Sequence, residues 1–139
     1  MSDVGPLVTR ELIREVRRLY DRIHGWTPGA WRVQAASSGT RAERVRELVV
    51  ELVHLGREAG SGAPAGVLPP HLADHALADQ IVVLADDVVE ALFADASGED
   101  VLGEAAGAEV RGPDRRHDIA QRARLAVRTA RADLDGPRP

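Results

Sequence analysis

Apolar side chains recur at intervals of three and four along most of the chain, and the alternation of a half-buried strand is sustained nowhere. That period places the apolar groups on one side of an α-helix. In the first segment Val8, Leu12, Val16, Leu19, Ile23 and Trp26 form the stripe, with arginine and glutamate between them. Gly5-Pro6 suits a helix start, because proline is already set for the first helical position, and Gly25 with Pro28 suits its end. Pro28 to Gln34 then reads as one or two helical turns, with Trp31 packed inward.

Thr40-Arg41-Ala42-Glu43 is a capping box, in which a hydroxyl and a carboxylate each satisfy an amide left unpaired at a helix start. Val45, Leu48, Val49, Leu52 and Leu55 follow as an apolar face, and Gly60 is suited to terminate it. Residues 60–66 read as a loop. A third helix is expected from Pro69-Pro70 to about residue 95, on Leu77, Ile81, Leu84, Val88 and Leu92. Val82, Val83 and Val89 widen its apolar surface beyond one stripe, which suits a central helix or one that meets another chain. Residues 97–112 offer only a marginal turn, interrupted by Gly103 and Gly107. The last helix is expected at 113–134, with Ile119, Ala123, Ala126 and Ala130 facing inward.

The expected fold is therefore all-α: an up-down-up-down four-helix bundle with one or two short extra turns. The long helices lie at about 6–24, 41–59, 70–95 and 113–134 of a single domain, 1–139. The length of 139 residues is that of one ordinary domain.

Composition removes several chemistries. The chain contains no cysteine, which excludes disulfides, thiolate nucleophiles and cysteine-ligated zinc. It also contains no lysine, which excludes Schiff-base catalysis and a phosphate-loop lysine. No Gly-x-Ser-x-Gly elbow, glycine-rich phosphate loop or catalytic carboxylate pair is present. No apolar run is long enough to span a membrane, and the first twenty residues lack a signal-peptide core, so a cytoplasmic protein is expected.

Charge is segregated along the chain. Residues 67–110 hold ten acids and no arginine, whereas residues 111–139 hold eight arginines and four acids. Asp79, Asp86 and Glu90 share one side of the third helix; Arg124, Arg128 and Arg131 share the side of the last helix opposite its alanines. Each stripe reads either as a solvated outer face steadied by ion pairs to adjacent helices or as a docking surface for a protein of opposite charge. An acidic balance and few aromatics speak against nucleic acid. Asp74, near the buried side of the third helix, is expected to pair with an arginine, with Arg14, Arg17 and Arg18 of the first helix available.

His71, His75 and Asp79 are spaced by four and would share one face of a continuous helix, a donor set suited to zinc or iron. Glu51-x-x-His54, Asp114-x-x-His117 and Asp21-x-x-His24 resemble half-sites of di-iron bundles. They fall on an outward face or at helix ends and are set aside. The leading expectation is a regulator or assembly adaptor that acts through protein–protein contacts, with no cofactor and no chemistry of its own. A metal-dependent enzyme or metal-binding module at His71, His75 and Asp79 is the alternative. Homodimerisation through Val82, Val83 and Val89 is a further expectation, since a two-fold pairing would hide them.

Overall fold

A computed structural model describes residues 4–37, 39–60, 69–106 and 112–135, without the side chains of 4–6, 95–106 and 112–114. The helices are α1 (Val4–Ile23), the single turn α2 (Pro28–Trp31), α3 (Arg41–Ala59), α4 (Leu77–Ala106) and α5 (Gly112–Asp133). A 3-10 turn, Asp74–Ala76, leads into α4. Among the described residues the chain is all-α, a helical bundle, and the one β contact is an isolated bridge between Gln34 and Thr40.

The apolar stripes meet in one core. Leu12, Leu19 and Ile23 of α1, Leu48 and Leu52 of α3, Leu77, Ile81 and Val88 of α4, and Ile119, Ala123 and Val127 of α5 are all buried. Each large aliphatic removed from water contributes about 1.5–3 kcal/mol before ordering entropy is charged against it. Trp31 is buried as expected; Trp26 packs edge-on to it, and the Arg41 guanidinium lies 4.5 Å over the Trp26 ring.

The start of α3 is the expected capping box. The Thr40 amide donates to Glu43 Oε1 at 2.8 Å, and the Glu43 amide donates to Thr40 Oγ1 at 3.2 Å. Gly39 precedes it at φ +81°, and a Cβ there would lie 2.6 Å from Glu43 Oε1, so the box itself occupies the space a side chain would need. Gly60 closes α3 in the left-handed region at φ 97°.

Two boundaries differ from expectation, both at α4. Regular helix begins at Leu77 rather than near residue 70. The buried Gln80 side chain donates to the Pro70 carbonyl at 3.1 Å, which folds the Pro69–Ala73 segment back across the first turns of α4. At its other end α4 continues through Ser97, Gly98 and Gly103 to Ala106. A glycine costs a helix only about 1 kcal/mol relative to alanine, and the four alanines among residues 94–106 offset that.

The ion pairs set the helix directions. Glu11, Glu15 and Arg22 of α1 pair in ascending order with Arg124, Arg131 and Asp135, so α1 and α5 run parallel. Arg44 and Glu58 of α3 pair in descending order with Asp133 and Arg122, so α3 opposes both. The 3-10 turn packs on α2 and binds Arg46, which starts α4 at the end where α1 finishes and α3 begins. The all-α bundle stands, but its order is up-down-down-up rather than the alternating order expected from short connections. Residues 60–73 make this possible, since fourteen extended residues reach about 46 Å and the 19-residue α3 is about 28 Å long. Around the bundle α1 lies between α4 and α5, and α3 lies between the same two. Alanines on α5 let it also approach α4 across the middle.

Candidate docking face between α1 and α4

Helix α1 has two flanks. On the α5 side, Glu15 is buried and accepts from Arg131 Nη2 at 2.9 Å and from Arg18 Nη1 at 3.4 Å. Arg124 lies 3.8 Å from Glu11 and donates to Gln121 Oε1 at 3.1 Å. Two arginines of the expected docking stripe, Arg124 and Arg131, are therefore seam residues. Their side chains retain 17% and 32% exposure, against an expected outward orientation. Arg128 alone of the three is exposed, without an ion pair among the described residues.

The α3/α5 seam is stitched in the same way. Arg44 Nε donates to Asp133 Oδ2 at 2.7 Å, and Arg41 Nε donates to the Leu134 carbonyl at 3.0 Å, covering the C-terminal end of α5. Further along, Arg122 grips Glu58 through two bonds, 2.5 and 3.2 Å, and Arg115 donates to the Glu58 carbonyl. The hydrogen bond from Arg122 holds the Glu58 carboxyl below its usual range, slight burial opposes this, and the fields of Arg122, Arg115 and His54 add to the lowering. Arg122 is raised in turn by the same bond to Glu58.

The other flank of α1 is built differently. Between α1 and α4 lies a half-open groove of about 580 Å³. Its floor is the core itself, at Leu12, Val16 and Ala85, and its walls are Ile13 and Tyr20 opposite Val82 and Val89. Ile13 and Val83 stay 48% and 57% exposed, the behaviour of a surface still uncovered. Asp79 and Asp86 of α4 and Arg17 and Asp21 of α1 line the groove beside these apolar groups, and Glu90, Arg10 and Arg14 lie on the outward ridges of the same two helices. All seven are exposed, and none has an ion-pair partner among the described residues. Two of the expected contact residues, Asp79 and Asp86, thus line an apolar groove.

Comparison of the chain with protein-family models, with curated proteins and with solved structures finds no match. The geometry alone bears on function.

The proposed metal ligands are not brought together. His71 lies in the non-helical lead, His75 in the 3-10 turn and Asp79 in α4, all exposed. The spacing of four required one continuous helix, and the Gln80–Pro70 bond ends that helix short of both histidines. Among the described residues no group of three histidines or carboxylates is placed to hold a metal ion. Glu51 and His54 face outward on α3. Asp74 does pair with an arginine, but with Arg46 of α3 at 2.6 Å and not with α1. Arg17 instead lines the groove, and Arg14 stays exposed on the outward side of α1. Sequence reading missed the α1 half of this face, although Ile13, apolar among the outward arginines of α1, was its signal.

Proposed function

We propose that the chain is a protein–protein contact module, a regulator or assembly adaptor working in the cytoplasm, with no chemistry of its own. Its working surface is the α1/α4 face. What supports this reading is one observation: an open apolar groove lined by charged side chains that have no ion-pair partner among the described residues, on a molecule that pairs its charges along the seams of α5. Apolar contact supplies affinity in such a groove, and charged edges supply orientation and selectivity. No helix among the described residues is long and apolar enough to cross a membrane.

The absence of cysteine and lysine makes the test specific, because one introduced cysteine is the sole labelling site. A photo-crosslinker on Val83→Cys is expected to capture a discrete protein species in extracts of the producing cells. The same probe on Glu47→Cys, on the outer side of α3, is expected to give none. Ile13→Asp should suppress capture at position 83. Equal labelling at both positions would sink the proposal.

A further inference from the structure

The edges of the α1/α4 face carry opposite charge, and their order along the helices is not arbitrary. The groove is lined from Leu12 to Asp21 on α1 and from Asp79 to Val89 on α4, and the two helices run in opposite directions. Asp21 therefore stands level with Asp79, and Leu12 with Val89. On the outward ridges this sets Arg10 level with Glu90, Arg14 level with Asp86, and Leu7 level with Phe93. Leu7 and Phe93 are 52% and 58% exposed, so four of the six exposed large apolar side chains of the described residues lie on these two helices.

We infer that the occupant of this face is a second copy of the chain, in a two-fold dimer whose axis lies in the face, parallel to α1 and α4. This inference rests on reading the face as a docking surface and names its partner. Such an axis lays α1 of one copy over α4 of the other without changing height. Arg10 and Arg14 of each copy then meet Glu90 and Asp86 of the other, Leu7 meets Phe93, and Ile13 and Val83 are covered. Asp21 falls level with Asp79, a like-charged pair, and Arg17 stands one helical turn away to offset it. An axis across the helices would instead lay arginine ridge on arginine ridge, which like-charge repulsion opposes. A foreign helix with a uniformly basic face would gain from Asp86 and Glu90 but meet the arginines of α1. A fitting partner needs one acidic and one basic ridge side by side, and this chain presents that pair.

The area is modest. Two helices about 10 Å wide over some 25 Å give about 500 Å² per copy, or about 1,000 Å² in total. That is the lower limit for a specific interface, so dimerisation on the order of micromolar is expected.

Sedimentation equilibrium from about 1 to 100 µM tests this, with circular dichroism confirming that each variant keeps its helix content. The wild-type chain of 14.9 kDa should reach twice that mass. The charge variants Arg10→Glu/Arg14→Glu and Asp86→Arg/Glu90→Arg should each weaken association by at least tenfold. An equimolar mixture of the two should recover it as a heterodimer, because both interfaces of the mixed pair regain opposite charges. Val83→Ser, which alters no charge, should weaken the dimer as well. A wild type monomeric throughout, variants that still self-associate, or a mixture that stays monomeric would each overturn the inference. A chain that stays monomeric while Val83→Cys captures a foreign protein overturns the second copy and leaves the docking reading standing; neither dimer nor capture removes both.

Discussion

The two sides of α1 solve the same problem in opposite ways. Toward α5, carboxylates and guanidinium groups meet across a closed seam, and the α3/α5 seam repeats the device with Arg44–Asp133 and Arg122–Glu58. Toward α4, the core is walled by valine, isoleucine and tyrosine, and the charged groups beside them have no ion-pair partner among the described residues. The difference teaches that the segregated charge has two uses. Arg115, Arg122, Arg124 and Arg131 hold α5 between α1 and α3, whereas Asp79, Asp86 and Glu90 of α4 have no ion-pair partner among the described residues. Charge counting along a sequence cannot separate these uses, because the partner acids of α5 lie about a hundred residues away on α1.

The comparison breaks most readily at Glu15. Replacing this buried carboxylate with arginine sets a third cation beside Arg131 and Arg18 and leaves a desolvated charge unpaired. A loss of about 3 kcal/mol is expected, the lower end for disrupting a largely buried pair, since Arg131 retains some solvent. Urea denaturation measures it. Adding Arg131→Glu should restore part of the loss, as direct coupling requires. If Glu15→Arg unfolds no more easily than the wild type, the closed seam is an ordinary solvated surface and the contrast between the two flanks disappears.

Arg44→Met probes the other seam more gently. Methionine keeps much of the aliphatic packing but leaves Asp133 without its guanidinium, and Asp133 is one quarter exposed. A loss of about 1–2 kcal/mol is expected from the same denaturation experiment. On the open face the corresponding change should register weakly. Arg14→Glu or Asp86→Arg, measured dilute enough for single chains to dominate, should shift stability by no more than about 0.5 kcal/mol, the usual limit for exposed helix positions. A loss above 1 kcal/mol in either would mean that the edges pair within one chain.

Helix position was legible in the sequence to a degree that helix arrangement was not. The stripes Val8–Ile23 and Val45–Leu55 and the capping box at Thr40 located α1 and α3 within a residue or two, because their determinants lie within one turn of chain. The start of α4 escaped because a side chain ten residues away, Gln80, decides where Pro70 goes. The helix order escaped because residues 60–66 read as a loop and the next helix was expected from about residue 70, so that only a short connection was in view. Of the candidate face, Asp79, Asp86, Glu90 and the additional valines were visible, since one helix carries them. Ile13, Tyr20 and the α1 arginines were not, because a groove between helices belongs to neither sequence segment alone. The same nonlocality misdirected Asp74, whose partner proved to be Arg46.

The smallest expected effect concerns pH and the Glu58–Arg122 pair. Glu58 is held below the usual carboxylate value of 4.5 in the folded chain by the hydrogen bond from Arg122, with the nearby cations adding to it. A carboxyl whose folded value is depressed binds its proton less readily than in the unfolded chain. Its contribution is therefore fully present above 4.5 and is lost as pH falls through its lower folded value. Both side chains are nearly half exposed, so solvent screening keeps the contribution of the pair small. Glu58→Gln, which keeps the shape and removes the titration, should leave a shallower fall in stability below pH 4.5 than the wild type shows, and little change at neutral pH. Thermal melts stepped through that range compare the variant with the wild type. An acid limb as steep in Glu58→Gln as in the wild type would mean that the bond from Arg122 does not hold the Glu58 carboxylate, and the stitched α3/α5 seam would then be no different from an ordinary solvated surface.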